Sequence, residues 1–236
     1  MRKLSLLKRL SIMGIIVSKY ARDRISEKEK IKQAFGPVIT ISRQLGCPAK
    51  LIAMELVGMI NEKTKGKWTC VSKEILQESA SKLGIPASEL RHFFKYNEQG
   101  IFDGILTTIS KFYPSDMRIY KAVENAIRSI GQKGKVVVVG RGGAAICRDM
   151  KNALHIRLTA PADWRLIKVM ETHNIDKKQA LQFMNDYDRK RTHFMMQFAK
   201  KTDQESLFDI TYNCASLKKT EIAQSIFAIL KKKKII

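Results

Sequence analysis

The chain has 236 residues, with 44 lysines and arginines against 22 aspartates and glutamates, a formal net charge of +22 at pH 7. Its 44% hydrophobic and 8% aromatic content excludes a disordered chain. The length suits one α/β domain with a substantial core and a small appendage. The charge favours polyanionic partners, whether nucleotides, nucleic acid or an anionic membrane surface. The basic residues are spread along the chain, so a generally basic protein is the competing explanation.

Residues 1–22 contain no acidic residue and carry Arg2, Lys3, Lys8, Arg9, Lys19 and Arg22 among leucines and isoleucines. The uncharged run Leu10–Ser18 is too short to span a bilayer and has no A-x-A-like cleavage site. It reads as a basic amphipathic segment lying on a membrane, or as a helix packed on the domain. Residues 1–35 are therefore taken as an N-terminal extension and 36–236 as the domain. The expected location is cytoplasmic, with peripheral membrane association through residues 1–22. Four cysteines (Cys47, Cys70, Cys147, Cys214) show no CxxC pair and no histidine at ligand spacing. This argues against a zinc site or a disulfide framework and suits a reducing compartment; no residue is assigned as a metal ligand.

Pro37–Asn61 reads PVITISRQLGCPAKLIAMELVGMIN. Val38–Ile41 has the β-branched composition of a buried strand. Ser42–Ala49 is a turn centred on Gly46, and Pro48 suits the first position of a helix. From Leu51 to Ile60 apolar residues cover more than half of a helix surface, which predicts deep packing on a sheet. Strand, anion-sized turn and buried helix make the architecture of a phosphate-binding loop; an ordinary strand–turn–helix is the bland alternative. The turn is not a Walker A loop. That pattern needs glycines at Gln44 and Ala49; only Lys50 matches, and Leu51 stands where a hydroxyl belongs.

Further strands are predicted near 68–71, 136–140, 153–159 and 207–213. Ser72–Leu83 carries helical periodicity from an N-cap serine to Gly84, and Pro86–Arg128 is mostly helical. Gly134–Gly143 (GKVVVVGRGG) is the clearest buried parallel strand, ending in a glycine-rich turn. Arg141 leaves its carboxyl end, where open α/β sheets bind ligands, and could fork onto a phosphate. Pro161 and Asp163 open a helix through Met170, with a further helix over Thr172–Asp186. Asp188, Arg189, Lys190 and Arg191 then form a polar cluster on a helix or hinge. Thr220–Leu230 is an amphipathic closing helix capped by Thr220, and Lys231–Lys234 a frayed basic tail.

ITISRQLG, GRGG, HIRLTAPADWR, NDYDRKR and LFDITYNCASL, in this order, resemble the cytidylate kinase-like family, P-loop proteins related to bacterial CMP kinases. The resemblance implies an α/β three-layer sandwich with a five-stranded, mainly parallel sheet and the Pro37–Ser42 strand central. It also implies mobile helices covering the acceptor, a lid at NDYDRKR, and transfer of the ATP γ-phosphate to CMP or a related monophosphate with Mg²⁺. On that basis Lys50, Arg189 and Arg191 are the expected catalytic residues. Ser42, Arg43, Gly46, Cys47 and Lys50 are expected to bind the nucleotide donor, and Arg141, Gly142 and Asp188 the acceptor. Two departures weaken the donor half. Family members usually show a GSGGR-like turn where this chain has Gly46-Cys47-Pro48-Ala49-Lys50, and Leu51 cannot hold Mg²⁺. A catalytically impaired nucleotide-binding module is therefore the second expectation, and a basic nucleic-acid- or membrane-associating protein the third.

Overall fold

A computed structural model of the chain describes residues 36–71, 114–199 and 203–236. The described residues all lie in one unit, Gly36–Ile236. The expectations for residues 1–35, for Ser72–Leu83 and for the first part of Pro86–Arg128 fall outside the described residues.

Among the described residues, five strands form one sheet: β1 (Val38–Arg43), β2 (Thr69–Val71), β3 (Val136–Val139), β4 (Ala153–Thr159) and β5 (Ile210–Asn213). Their order is β2-β3-β1-β4-β5, with every pairing parallel and β1 in the centre. The central strand is buried from Val38 to Ile41, as a parallel strand covered on both faces should be. The last strand is shorter than predicted. Glu205–Leu207 forms a turn of 3₁₀ helix, and β-structure begins only at Ile210.

Period-two alternation sorts the strands between two layers. Ile39, Ile41, Val137, Val139, Ile156 and Leu158 share one core with α1 (Ala49–Thr64) and with the closing Lys219–Lys232 helix. The opposite face carries Thr40, Val138 and His155. It is covered by α2 (Pro114–Lys133) and the single turn α3 (Gly143–Ile146), whose first residue lies against the side chains of Val138 and Thr40. Between β4 and β5 run α4 (Ala162–His173) and α5 (Lys177–Met196); the closing helix is α6. This is the α/β three-layer arrangement expected from the sequence.

Several boundaries differ from the sequence reading. Pro48 stands outside α1 as its N-cap residue. Leu51 and Met54 are half exposed, so α1 is buried along one stripe, through Ile52, Ala53, Leu56 and Ile60, and not over most of its surface. The predicted helix over Thr172–Asp186 is broken at Asn174, which is left-handed. Asp176 restarts the chain with a capping box, accepting from the Gln179 N–H while the Gln179 side chain accepts from its own. Asp188–Arg191 consequently lie within a continuous helix and not on a hinge. Lys218, not Thr220, caps α6, with Glu221 accepting from the Lys218 N–H. The Lys231–Lys234 tail is ordered: the Ile235 N–H returns to the Leu230 carbonyl, and Ile235 and Ile236 pack on the α1/α6 core.

Candidate functional site at the carboxyl edge of the sheet

All five strands point the same way, so the loops after β1, β3 and β4 meet at one carboxyl edge. After β1 the Gln44 N–H still donates to the Leu158 carbonyl, extending the ladder. The chain then turns at Gly46, whose φ of +90° suits glycine. There is also no room for a side chain, since a Cβ would stand 3.1–3.2 Å from the backbone and Cβ of Arg165. The loop is thus pressed onto the first turn of α4.

One carboxylate holds this contact together. Asp188, midway along α5, accepts from the Leu45 N–H at 2.8 Å and from Arg165 at 2.6 Å. Arg165 is nearly buried, and also donates to the carbonyls of Ala160 and Leu45. The helix of the expected lid is therefore tied through Asp188 to a backbone N–H of the expected phosphate loop. A loop amide that takes a carboxylate is oriented to take an anion.

After β3 the chain makes a type I′ turn. Gly140, Arg141 and Gly142 have φ of 74°, 56° and 71°, and the Gly143 N–H closes onto the Gly140 carbonyl. A side chain at Gly140 would fall on the Arg43 guanidinium, and one at Gly142 would meet the Phe198 ring at 2.7 Å. Both glycines make room for a neighbour that shapes the site. Phe198 belongs to a three-ring cluster with Tyr120 and Phe194, centroids 5.4–5.7 Å apart, which fastens the end of α5 to α2.

Between these elements opens a cavity of about 100 Å³. Arg43 enters from β1, Arg157 from β4 and Arg191 from α5, with Ser42, Gly140, Gly142 and Asp188 also in its wall. The Arg157 guanidinium lies 5.6 Å from the Phe208 ring centre, and that of Arg191 lies 4.6 Å from the Tyr187 ring centre. An aromatic face packs against each of these cations. Register explains Arg157: it pairs with Ser42 of β1, two residues beyond the buried Thr40–His155 pair on the same face. In that pair the Thr40 hydroxyl meets His155 Nδ1 at 2.8 Å. Burial pushes the His155 imidazole below its ordinary range, opposed by the nearby Asp209 carboxylate.

The sequence-predicted residues divide accordingly. Ser42, Arg43, Gly142, Asp188 and Arg191 are brought to one cavity. Lys50 is exposed on the first turn of α1, and Arg141, Gly46 and Cys47 are not among the lining residues. Arg189 points outward and pairs with Asp186 at 2.9 Å. Cys47 is buried beside Cys214, which follows β5. The neighbouring thiol, burial and the Cys214 charge push Cys47 up, so it is held as a thiol. Sequence reasoning missed Arg157, Arg165, Thr192, Gln204 and Phe208. The available signal was an arginine interrupting the apolar strand ALHIRLT, an expensive placement unless the charge faces a site.

The loop fits the donor group poorly. The family implies a nucleoside triphosphate with a divalent metal, but here the Leu45 N–H is engaged by Asp188, Pro48 has no N–H and Leu51 is a half-exposed hydrocarbon. The cavity instead gathers guanidinium groups from three separate elements, β1, β4 and α5.

Comparison with known proteins bears on the family and the fold. A family model described as "cytidylate kinase-like family" matches residues 38–216. Among solved structures, an uncharacterized protein from Eubacterium ventriosum is similar at a TM-score of 0.56 and 20% identity, covering 83% of this chain and 98% of the other. Shikimate kinase from Acinetobacter baumannii in complex with shikimate is similar at a TM-score of 0.51 and 10% identity, covering 86% and 97%. None of the curated proteins compared matches the chain.

Proposed function

The chain belongs to the cytidylate kinase-like family, and we propose that it holds the phosphate of a nucleoside monophosphate, CMP first among them, in the Arg43–Arg157–Arg191 cavity. The observation that carries this reading is the convergence of three arginines from three separate elements at the carboxyl edge of a P-loop kinase sheet. Each guanidinium presents a planar fork to a phosphoryl oxygen, fixing the direction as well as the charge of the bound group. Ser42 and Thr192 add hydroxyls to the wall, and Phe208 and Met195 supply its apolar part.

As a nucleoside monophosphate kinase-like protein, it would receive the phosphoryl group from ATP. This chain's own contribution to such a transfer is positional and electrostatic: Arg191 and Arg157 would neutralise charge around the acceptor phosphate, and α5 would close over it. Because the loop fits a metal-bound triphosphate poorly, the second reading, a nucleotide-binding module with impaired transfer, is favoured by Pro48, Leu51 and the Leu45–Asp188 bond.

Calorimetric titration with CMP, the other monophosphates and unphosphorylated cytidine tests the binding claim. CMP is expected to bind at least about tenfold more tightly than cytidine, since hydrogen bonds to a charged group contribute about 1.5–3 kcal/mol each. Arg157→Ala should remove that preference. Equal affinity for CMP and cytidine would overturn the assignment.

A further inference from the structure

The opposite, amino edge of the sheet is unusually basic. All the strands begin there, so the connections that end there lie side by side, and backbone bonds record it. The Lys135 N–H donates to the Pro37 carbonyl, the Thr69 N–H to the Lys135 carbonyl, and the Val38 N–H to the Asn152 carbonyl. The end of α1 brings exposed Lys63, Lys65 and Lys67 to this edge, the α2–β3 turn brings Lys133 and Lys135, and the chain before β4 brings Lys151. Parallel strands followed by α1 and α6 place the ends of both helices together, as the Lys63 ammonium, 5.3 Å from the Phe227 ring centre, shows. The ordered run Lys231–Lys234 therefore joins the same surface. Among the described residues, three acidic groups stand near it: Glu62 is exposed, Asp149 is bonded to Arg128 at 3.2 Å, and Asp209, just before β5, accepts from the His155 N–H.

We propose that this lysine edge docks the protein on an anionic phospholipid surface, leaving the arginine cavity at the opposite edge open to solution. Three observations favour lipid over nucleic acid. The edge is built from lysines, compact charges suited to diffuse attraction, and not from arginine forks. Trp68 and Phe227, the aromatic residues described beside it, are both buried and offer no platform for stacking bases. Residues 1–22 of the chain also combine six basic residues with many apolar ones and no acidic one. A polybasic surface and a basic apolar segment are the two signals that stable peripheral binding requires.

The test is co-sedimentation of the full chain with vesicles of phosphatidylcholine alone and of phosphatidylcholine mixed with phosphatidylserine, at low and high salt. Binding is expected only to the mixed vesicles and should be lost at high salt. Replacing Lys231, Lys232, Lys233 and Lys234 by Gln should weaken binding at least about tenfold, because each lysine near an anionic surface contributes severalfold. Replacing Lys177, Lys178, Lys218 and Lys219, an equal charge elsewhere, should leave binding nearly unchanged. Equal loss in both variants would reduce the effect to net charge and overturn the proposal. Failure to bind mixed vesicles would overturn it too, as would tighter binding to duplex RNA or DNA through the same Lys231–Lys234 run. None of these readouts depends on nucleotide binding in the cavity.

Discussion

Gly140 shows how one missing atom shapes the candidate site. Its φ is positive and its Cβ position is occupied by the Arg43 guanidinium. Gly140→Ala should cost about 1–2 kcal/mol for the left-handed backbone alone and displace Arg43 from the cavity wall. Thermal unfolding should show a lower Tm, and calorimetry a weaker affinity for CMP. Unchanged affinity in that variant would remove Arg43 from the phosphate site. Below the cavity, His155 makes a pH prediction. An unfolded chain protonates this imidazole near pH 6.5, whereas the folded chain does so only at lower pH because burial disfavours the cation. The unfolded state therefore binds more protons as pH falls below about 6.5, and stability drops there. Tm should be lower at pH 5.5 than at pH 7.5, and His155→Gln should shrink that difference.

At the scale of elements, α5 and the loop after β1 act through one another. Breaking the Asp188–Arg165 pair, whose side chains are 25% and 11% exposed, leaves a nearly buried guanidinium without its carboxylate. Asp188→Ala should destabilise the domain by about 3 kcal/mol and release the Leu45 N–H. If that carboxylate blocks donor phosphates, Asp188→Asn should bind ATP more tightly than the native chain despite lower stability; weaker ATP binding would make Asp188 part of the site and not an obstacle to it. The loop itself predicts slow chemistry. Loss of one donor positioned on developing charge costs about 3–4 kcal/mol, so turnover of CMP should fall well below the roughly 1–100 per second of ordinary kinases. Combining Pro48→Gly, Ala49→Gly and Leu51→Ser should raise it. Native turnover within the ordinary range, measured by coupled assay, would show that the loop works as it stands.

At the scale of the whole molecule, among the described residues, the parallel sheet separates two groups of positive charge. Arginines gather in a cavity at the carboxyl edge, and lysines spread over the amino edge. Gly36–Ile236 forms one compact unit, and the sequence motifs that carry the fold all begin after Gly36. Removing residues 1–30 is thus expected to leave cooperative unfolding intact while weakening vesicle binding. A truncated chain that fails to fold would make the extension part of the domain.

Local composition determined much of this protein. The strands and the glycine turns after β1 and β3 are written in short β-branched runs and in residues that tolerate positive φ, signals that act within a few positions. The family motifs added the mainly parallel sheet and the central place of β1. Tertiary structure alone decided which residues meet. Lys50, which matches the Walker pattern, ended exposed because the helix turns it outward. Arg157, unnoticed inside a strand, ended in the cavity because register sets it opposite Ser42. Cys47 and Cys214, far apart in the chain, became neighbours because β1 and β5 end at the same edge. Asp188, expected beside the acceptor, lines the cavity and also holds the Leu45 N–H and Arg165, contacts made by the approach of α5 to α4. Periodicity specifies which face of an element is buried, but the partner across that face is chosen by packing among distant segments.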